Sequence, residues 1–240
     1  MSGHSKWSTI KRQKGAADVK RGLLFTKLAN VITLAAKGGG PDPDSNFKLR
    51  MAMDKARAAN MPGENIKRAI ERSQGAQGGA GIEEVTYEGF APGSVGLVIS
   101  AATDNKNRTT AFVKATLERG GGTLTAPGAL SWQFKPVGEL VVSLGGKSLD
   151  ELFMAAADAG AEDVIPNDEE AGTAIVQTAP DQVDAVRTKL TDWEVKEAKL
   201  SHKPTSTVDI SDPAQAEKVV NLIDTLEENE DVQEVVSNLA

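Results

Sequence analysis

VGELVVSL (Val137–Leu144), LDELFMAAADA (Leu149–Ala159), DVI (Asp163–Ile165), TAIVQT (Thr173–Thr178), QVDAVRTKL (Gln182–Leu190) and EVKEAKL (Glu194–Leu200) follow one another along the chain. The first, third, fourth and sixth pieces are short, rich in β-branched residues or alternating, and read as strands. The second and fifth repeat apolar residues at helical spacing. The order is β-α-β-β-α-β within about 65 residues, that of a ferredoxin-like unit. Gly145-Gly146-Lys147-Ser148 imitates the end of a phosphate-binding loop, but Val141 stands where the motif requires glycine. Those glycines turn a strand into a helix, and Ser148 is placed to cap it.

Working outward, the chain on each side holds half of a second unit. Before the quoted stretch come Glu83–Phe90 and Val95–Ala102 as strands, Asn107–Arg119 as an amphipathic helix and Leu130–Phe134 as a strand. After it come strand Thr207–Ile210, helix Ala214–Glu228 and strand Val232–Val236. A sheet built from either half alone is too small to be stable, so the two halves are expected to join. Residues 136–204 then form a domain inserted into a parent α/β domain of residues 81–135 plus 205–240.

Residues 1–80 differ in texture. Leu24, Leu28, Val31 and Ala35 repeat with helical spacing between Ala17 and Lys37, with Phe25 and Ile32 widening the face. Asn30 and Thr33 fall on the other side. Gly38–Gly40 and Pro41 end this helix. Asp42-Pro43 reads as the cap and first turn of a second helix, which buries Leu49, Met53 and Ala56. A third begins near Pro62, with Ile66, Ala69 and Ile70 on its apolar side, and Gly75 closes it. Glycine-rich Gln74–Gly81 is a linker. The expected fold class is α+β: an N-terminal three-helix domain followed by two ferredoxin-like α/β domains, one inserted in the other.

Charge is distributed unevenly. The chain of 240 residues has a net charge of −7. Met1–Gly75 holds 15 Lys+Arg against 6 Asp+Glu, a net +9, and the remainder holds 12 against 28, a net −16. A basic front on an acidic body points to a polyanionic partner. The first residues combine His4, Lys6, Trp7, Lys11, Arg12 and Lys14: one stacking ring among phosphate-seeking cations. Lys20, Arg21, Lys27, Arg50, Arg57, Lys67 and Arg68 extend that surface, joined by Lys48, Lys55 and Arg72. Thr103-Asp104-Asn105-Lys106-Asn107-Arg108-Thr109 leads into a helix N-terminus. Capping by Asp104, Asn105 or Asn107 is its first role, and phosphate contact through Lys106 and Arg108 its second.

Enzymatic classes find little support. There is no cysteine, and neither His4 nor His202 has partners spaced for a metal site or a triad. No metal or cofactor is expected. Asp224, Glu227, Glu228, Glu230, Asp231 and Glu234 lack calcium-loop spacing and read as a solvated face. No apolar stretch is long enough for a membrane partner, and no secretory signal precedes the basic residues, so a cytoplasmic location is expected.

Gly3-His4-Ser5-Lys6-Trp7, Ile10-Lys11, Asp42-Pro43 with Asn46 and Leu49-Arg50, Asn60-Met61-Pro62, Asn65-Ile66, Arg68-Ala69-Ile70, Tyr87-Glu88-Gly89, Thr103–Thr109 and Ala159–Asp163 together resemble the YebC/PmpR family. The resemblance runs over nearly the whole chain. It implies three domains, no enzymatic activity, and a transcriptional regulator that binds DNA. Relatives that include a mitochondrial activator of cytochrome oxidase subunit I synthesis imply an alternative: a ribosome-associated translation factor that binds rRNA or tRNA. Without the resemblance, a further class stands, a protein–protein scaffold built on the acidic α/β domains. No recognition helix of the helix-turn-helix kind is evident.

Overall fold

The computed structural model describes residues 17–75, 81–168 and 171–240, with side chains in the first helix from Arg21 onward. Seven α-helices and two four-stranded antiparallel sheets make up the described residues, an α+β architecture with helices first. The chain divides into two compact units: Lys135–Lys203, and the described residues up to Phe134 with Pro204–Ala240.

In the second of these, helices α1 (Ala17–Gly39), α2 (Phe47–Ala58) and α3 (Gly63–Ser73) pack around Leu28, Ile32, Ala36, Leu49, Ala52, Met53, Ala56, Met61, Ile66 and Ala69. Two expectations are corrected. The cap of α2 is Asn46, whose Oδ1 accepts from the Leu49 N–H at 3.1 Å. Asp42 instead accepts from the Asp44 N–H at 3.0 Å and closes the preceding turn. The Asn46 amide also donates to the Ala35 and Gly40 carbonyls, so one side chain both starts α2 and satisfies the end of α1. Asn30 and Thr33 are buried, because α1 is covered on two sides. The Thr33 hydroxyl donates to Ala69 O at 2.8 Å in α3, and the Asn30 amide to Ala102 O at 3.4 Å in the sheet beyond.

That sheet contains β1 (Glu83–Ala91), β2 (Val95–Thr103), β3 (Thr123–Leu124) and β8 (Val232–Ser237), in the order β3-β1-β2-β8. Helices α4 (Lys106–Arg119) and α7 (Pro213–Glu227) accompany it. Leu130–Phe134 is not a strand of this sheet, and Thr207–Ile210 is reduced to one bridge between Val208 and Leu239. Their expected places are taken by β3, close after α4, and by β1, which precedes β2. The spatial order still matches a ferredoxin-like sheet, with the first chain segment filling an inner position. Tight turns make this connectivity feasible: Gly122 approaches Phe90 O so closely that a Cβ would lie 2.3 Å from it.

The other unit is built from β4 (Phe134–Ser143), α5 (Leu149–Ala159), β5 (Asp163–Asp168), β6 (Thr173–Thr178), α6 (Val183–Lys189) and β7 (Glu194–Pro204). Its order β5-β6-β4-β7 is the ferredoxin-like 4-1-3-2 read from the other edge. Leu140, Val142, Leu152, Ala156, Ala174, Val176, Val186 and Leu190 fill the space between sheet and helices. Ser148 begins α5 with a capping box: its hydroxyl accepts from the Glu151 N–H at 3.2 Å, and the Glu151 carboxylate accepts from the Ser148 N–H at 2.7 Å.

Candidate nucleic-acid interface

His4, Lys6, Trp7, Lys11, Arg12 and Lys14 lie outside the described residues, as does the side chain of Lys20. The remaining sequence-derived cations sort into two groups by what their side chains touch.

On the helices, Arg21, Lys48 and Arg68 are exposed and pair with no carboxylate among the described residues. Arg68 donates to the neutral Asn65 Oδ1 at 3.1 Å, which aims its guanidinium without neutralising it. Arg57 lies 2.9 Å from Asp54, and Lys67 lies 3.9 Å from Glu71; both pairs are exposed neighbours on one helix. Such pairs contribute roughly 0–1 kcal/mol, so a phosphate can replace the carboxylate at little cost. Arg50 is half-buried and donates to Pro43 O at 3.1 Å and Asp44 O at 3.4 Å, over the Phe47 ring. It anchors the turn before α2. Lys27 is turned inward, donating to Glu227 O at 2.6 Å, and Lys37 donates to Ile82 O at 3.1 Å. With Asn30, these residues form a polar seam between α1 and the α/β part of the same unit.

The Thr103–Thr109 loop behaves differently. Asn105 caps α4, accepting from the Arg108 N–H at 3.1 Å. Arg108 donates to both oxygens of Asp231, Nη2 at 2.9 and 2.8 Å, and to Asp104 Oδ1 at 3.1 Å. Asp231 is buried, and its Oδ2 also accepts from the Thr109 hydroxyl at 2.8 Å. These contacts raise the Arg108 pKa, chiefly through hydrogen bonding to Asp231. Arg72 meets Asp104 at 3.2 Å, and Lys106 pairs with Glu83. The mutual hydrogen bond and charge raise the Lys106 pKa and lower that of Glu83. A depression of about 300 Å³ lies here, lined by Gly81, Glu83, Thr103, Asp104, Asn105, Lys106 and Asn107. Its two carboxylates and one ammonium disfavour an anion. The loop is a cap and an ionic clasp in which Lys106 and Arg108 both meet carboxylates.

Asp231, expected on a solvated acidic face, is instead buried, which corrects that expectation. Nothing local marks it out: it precedes a strand, and its partners lie 122 and 123 residues away. Trp132, which no sequence motif marks, is 70% exposed. The available signal was its setting, because Gly120–Phe134 contains no charged residue.

In the Lys135–Lys203 unit, Gly145 and Gly146 both have positive φ, and Lys147 lies 4.4 Å from the Trp193 ring while donating to Asp192 O at 2.9 Å. The Lys147 ammonium is thus turned to the Trp193 loop. Among the described residues no group of three or more His, Asp or Glu side chains is arranged to hold a metal ion. No described helix is long and apolar enough to cross a membrane.

Residues 5–76 match a family model described as the TACO1/YebC protein N-terminal domain, and residues 82–239 one described as the TACO1/YebC second and third domain. A relative from Moorella thermoacetica is 45% identical over 241 residues, covering 99% of this chain and 95% of its own. One from Roseiflexus castenholzii is 49% identical, with coverage of 100% and 95%. Each is named a probable transcriptional regulatory protein. The crystal structure of a conserved hypothetical protein from Aquifex aeolicus superposes with a TM-score of 0.88 at 41% identity, covering 98% of this chain and 96% of that one.

Proposed function

The chain belongs to the TACO1/YebC family, and on that premise we propose that it is a non-enzymatic, cytoplasmic regulator of gene expression that works by binding nucleic acid, DNA in the first instance. Relatives across the family carry the name of transcriptional regulators, which supports the regulatory part of this reading. The observation that carries the binding part is the separation of charge: a front of net +9 on a body of net −16. Within that front, Arg21, Lys48 and Arg68 are exposed without carboxylate partners among the described residues, and Arg57 and Lys67 are held only by exposed pairs. Lys6, Trp7, Lys11, Arg12 and Lys14 add cations and one ring at the same end of the sequence. Such a surface grips the phosphate backbone, and the acidic body disfavours binding in other orientations.

Affinity for a duplex of random sequence, measured from 50 to 200 mM salt, tests this. With about six phosphates neutralised, binding falls a thousandfold or more over that range. Affinity that is flat in salt rejects the electrostatic account.

A second reading, a ribosome-associated translation factor bound to rRNA or tRNA, is favoured by one feature. Arg57, Lys67 and Arg68 are divided between α2 and α3 and do not line a single helix that would enter a major groove. Co-sedimentation with ribosomes that requires Met1–Gly15, together with weak and sequence-independent duplex binding, would select it. Partner capture that is indifferent to deletion of Met1–Gly15 would instead select a scaffold role for the acidic domains.

A further inference from the structure

Trp132 is the residue whose placement the interface above leaves without a role. Its ring is 70% exposed, yet it is not loose. The indole N–H donates to Ala129 O at 3.1 Å. The loop that carries it is held from beneath by Glu88, whose carboxylate accepts from the Gly128 N–H at 2.8 Å and the Leu130 N–H at 2.6 Å. The Ser131 hydroxyl donates to Gly128 O at 2.9 Å, and the Thr205 hydroxyl to Trp132 O at 3.2 Å. Leu130 and Phe134 on either side are buried against Val98. Gly96 admits them: a Cβ there would stand 2.8 Å from Gln133 Oε1 and 3.0 Å from the Phe134 ring.

An indole with its one hydrogen-bonding group already satisfied has only its π-surface left to offer. Because the loop is pinned, stacking on that surface costs little additional ordering. The surroundings narrow the partner. No charged residue occurs from Gly120 to Phe134, and the Glu88 carboxylate beneath the loop is taken up by the Gly128 and Leu130 N–H groups, so the segment itself adds no charge against a phosphate chain. Within the loop itself the other exposed residues are Ala126, Pro127, Gly128, Ala129 and Ser131, all small. A protein-interface hot spot is expected within a wider ring of apolar contacts, and this loop supplies no second large apolar side chain. A flat, sequence-tolerant ligand fits better.

We infer that Trp132 is a stacking platform for one unpaired base of the bound nucleic acid, a contact separate from the cationic front. The inference rests on the nucleic-acid reading above, and the test keeps the two apart. Two fluorescein-labelled probes are used with the full chain, a single-stranded 20-mer of uridylate and a duplex of the same length, each titrated across salt. Trp132→Ala weakens single-strand binding about tenfold or more, since stacking of one base supplies that much. The salt slope stays unchanged because no charge is lost, duplex affinity is unaffected because its bases are already stacked, and Trp132→Phe recovers most of the loss. Thermal melting of each variant monitors the fold. Single-strand affinity unchanged in Trp132→Ala overturns the inference and leaves the cationic reading standing; the ring then belongs to a protein partner. An equal loss on both probes, or a reduced salt slope, also overturns it, by pointing to a disturbed loop. Wild-type protein that binds neither probe in a salt-dependent manner overturns both readings.

Discussion

The helices of the first 75 residues and the Thr103–Thr109 loop are written with the same basic side chains, and they use them in opposite ways. Arg21, Lys48 and Arg68 stand exposed with no carboxylate beside them among the described residues, whereas Arg108 forks onto a buried aspartate and Lys106 onto Glu83. Exposure alone does not separate the two groups, since Lys106 and Arg108 are also exposed. What separates them is the carboxylate: the helix cations Arg21, Lys48, Arg57, Lys67 and Arg68 have none among the described residues or one on their own helix, whereas Lys106 and Arg108 are met by Glu83 and Asp231 from other elements. An exposed pair on one helix, such as Arg57–Asp54, yields to a phosphate at little cost, whereas Arg108 is tied to the buried Asp231, and removing that partner disturbs the fold before it frees the charge.

The largest effect should therefore follow from breaking the clasp at its buried end. Asp231→Ala removes the bidentate acceptor of the Arg108 guanidinium and one acceptor of the buried Thr109 hydroxyl. Loss of about 2–4 kcal/mol of stability is expected, with Arg108's half-exposed position keeping it below the cost of a fully buried pair. Urea unfolding followed by circular dichroism measures it. A variant that keeps wild-type stability while binding nucleic acid more tightly would mean that the clasp restrains a binding residue, and the contrast between the two regions would collapse.

The next effect belongs to the helices. Arg21→Ala and Arg68→Ala should each weaken binding severalfold on any sequence and lower the salt slope by about one. Arg108→Ala, which removes an equal charge, should leave the slope unchanged. Equal slopes for all three variants would remove the distinction.

These differences mark where the sequence was legible. The ferredoxin-like order of 137–200 could be read because each element carries its own period and its own stops, down to the Ser148 cap. The helix buried face was read only in part. Asn30 and Thr33 look polar in a one-sided pattern, and α1 is covered on two sides. The parent sheet misled for a related reason. Leu130–Phe134 is apolar enough for a strand, but its residues are anchors for a surface loop, while the two-residue strand β3 is too short to show a period. At the candidate site, positive charge could be counted from composition, but its availability could not. Asp231 reaches Arg108 across 123 residues, and only the folded chain brings that pair together.

A smaller effect isolates the inserted sheet from the interface. Ser148→Ala removes the side-chain half of the α5 capping box and should cost about 1 kcal/mol, with no change in nucleic-acid affinity. A loss of affinity without a loss of stability would assign Gly145–Ser148 an anion-binding role.

The smallest effect is a titration at the Lys106–Glu83 pair, and it tests the contrast without altering the fold. The Glu83 carboxyl sits below its ordinary 4.5 because Lys106 donates to it and lies beside it. The sign follows. A carboxyl with a depressed folded value stabilises the native state above its unfolded value, and that contribution is lost as pH falls through the folded value. Glu83 should therefore remain ionised below pH 4.5 in the wild type, and Lys106→Met should return its titration upward, as NMR of the Glu83 side-chain carboxyl would record. Saturating the protein with nucleic acid extends the test. If Lys106 stays in its pair, Glu83 titrates as before. If Lys106 leaves to meet a phosphate, Glu83 loses its donor and its titration rises toward that of the Lys106→Met variant, which would place the loop with the helices as part of one continuous cationic surface.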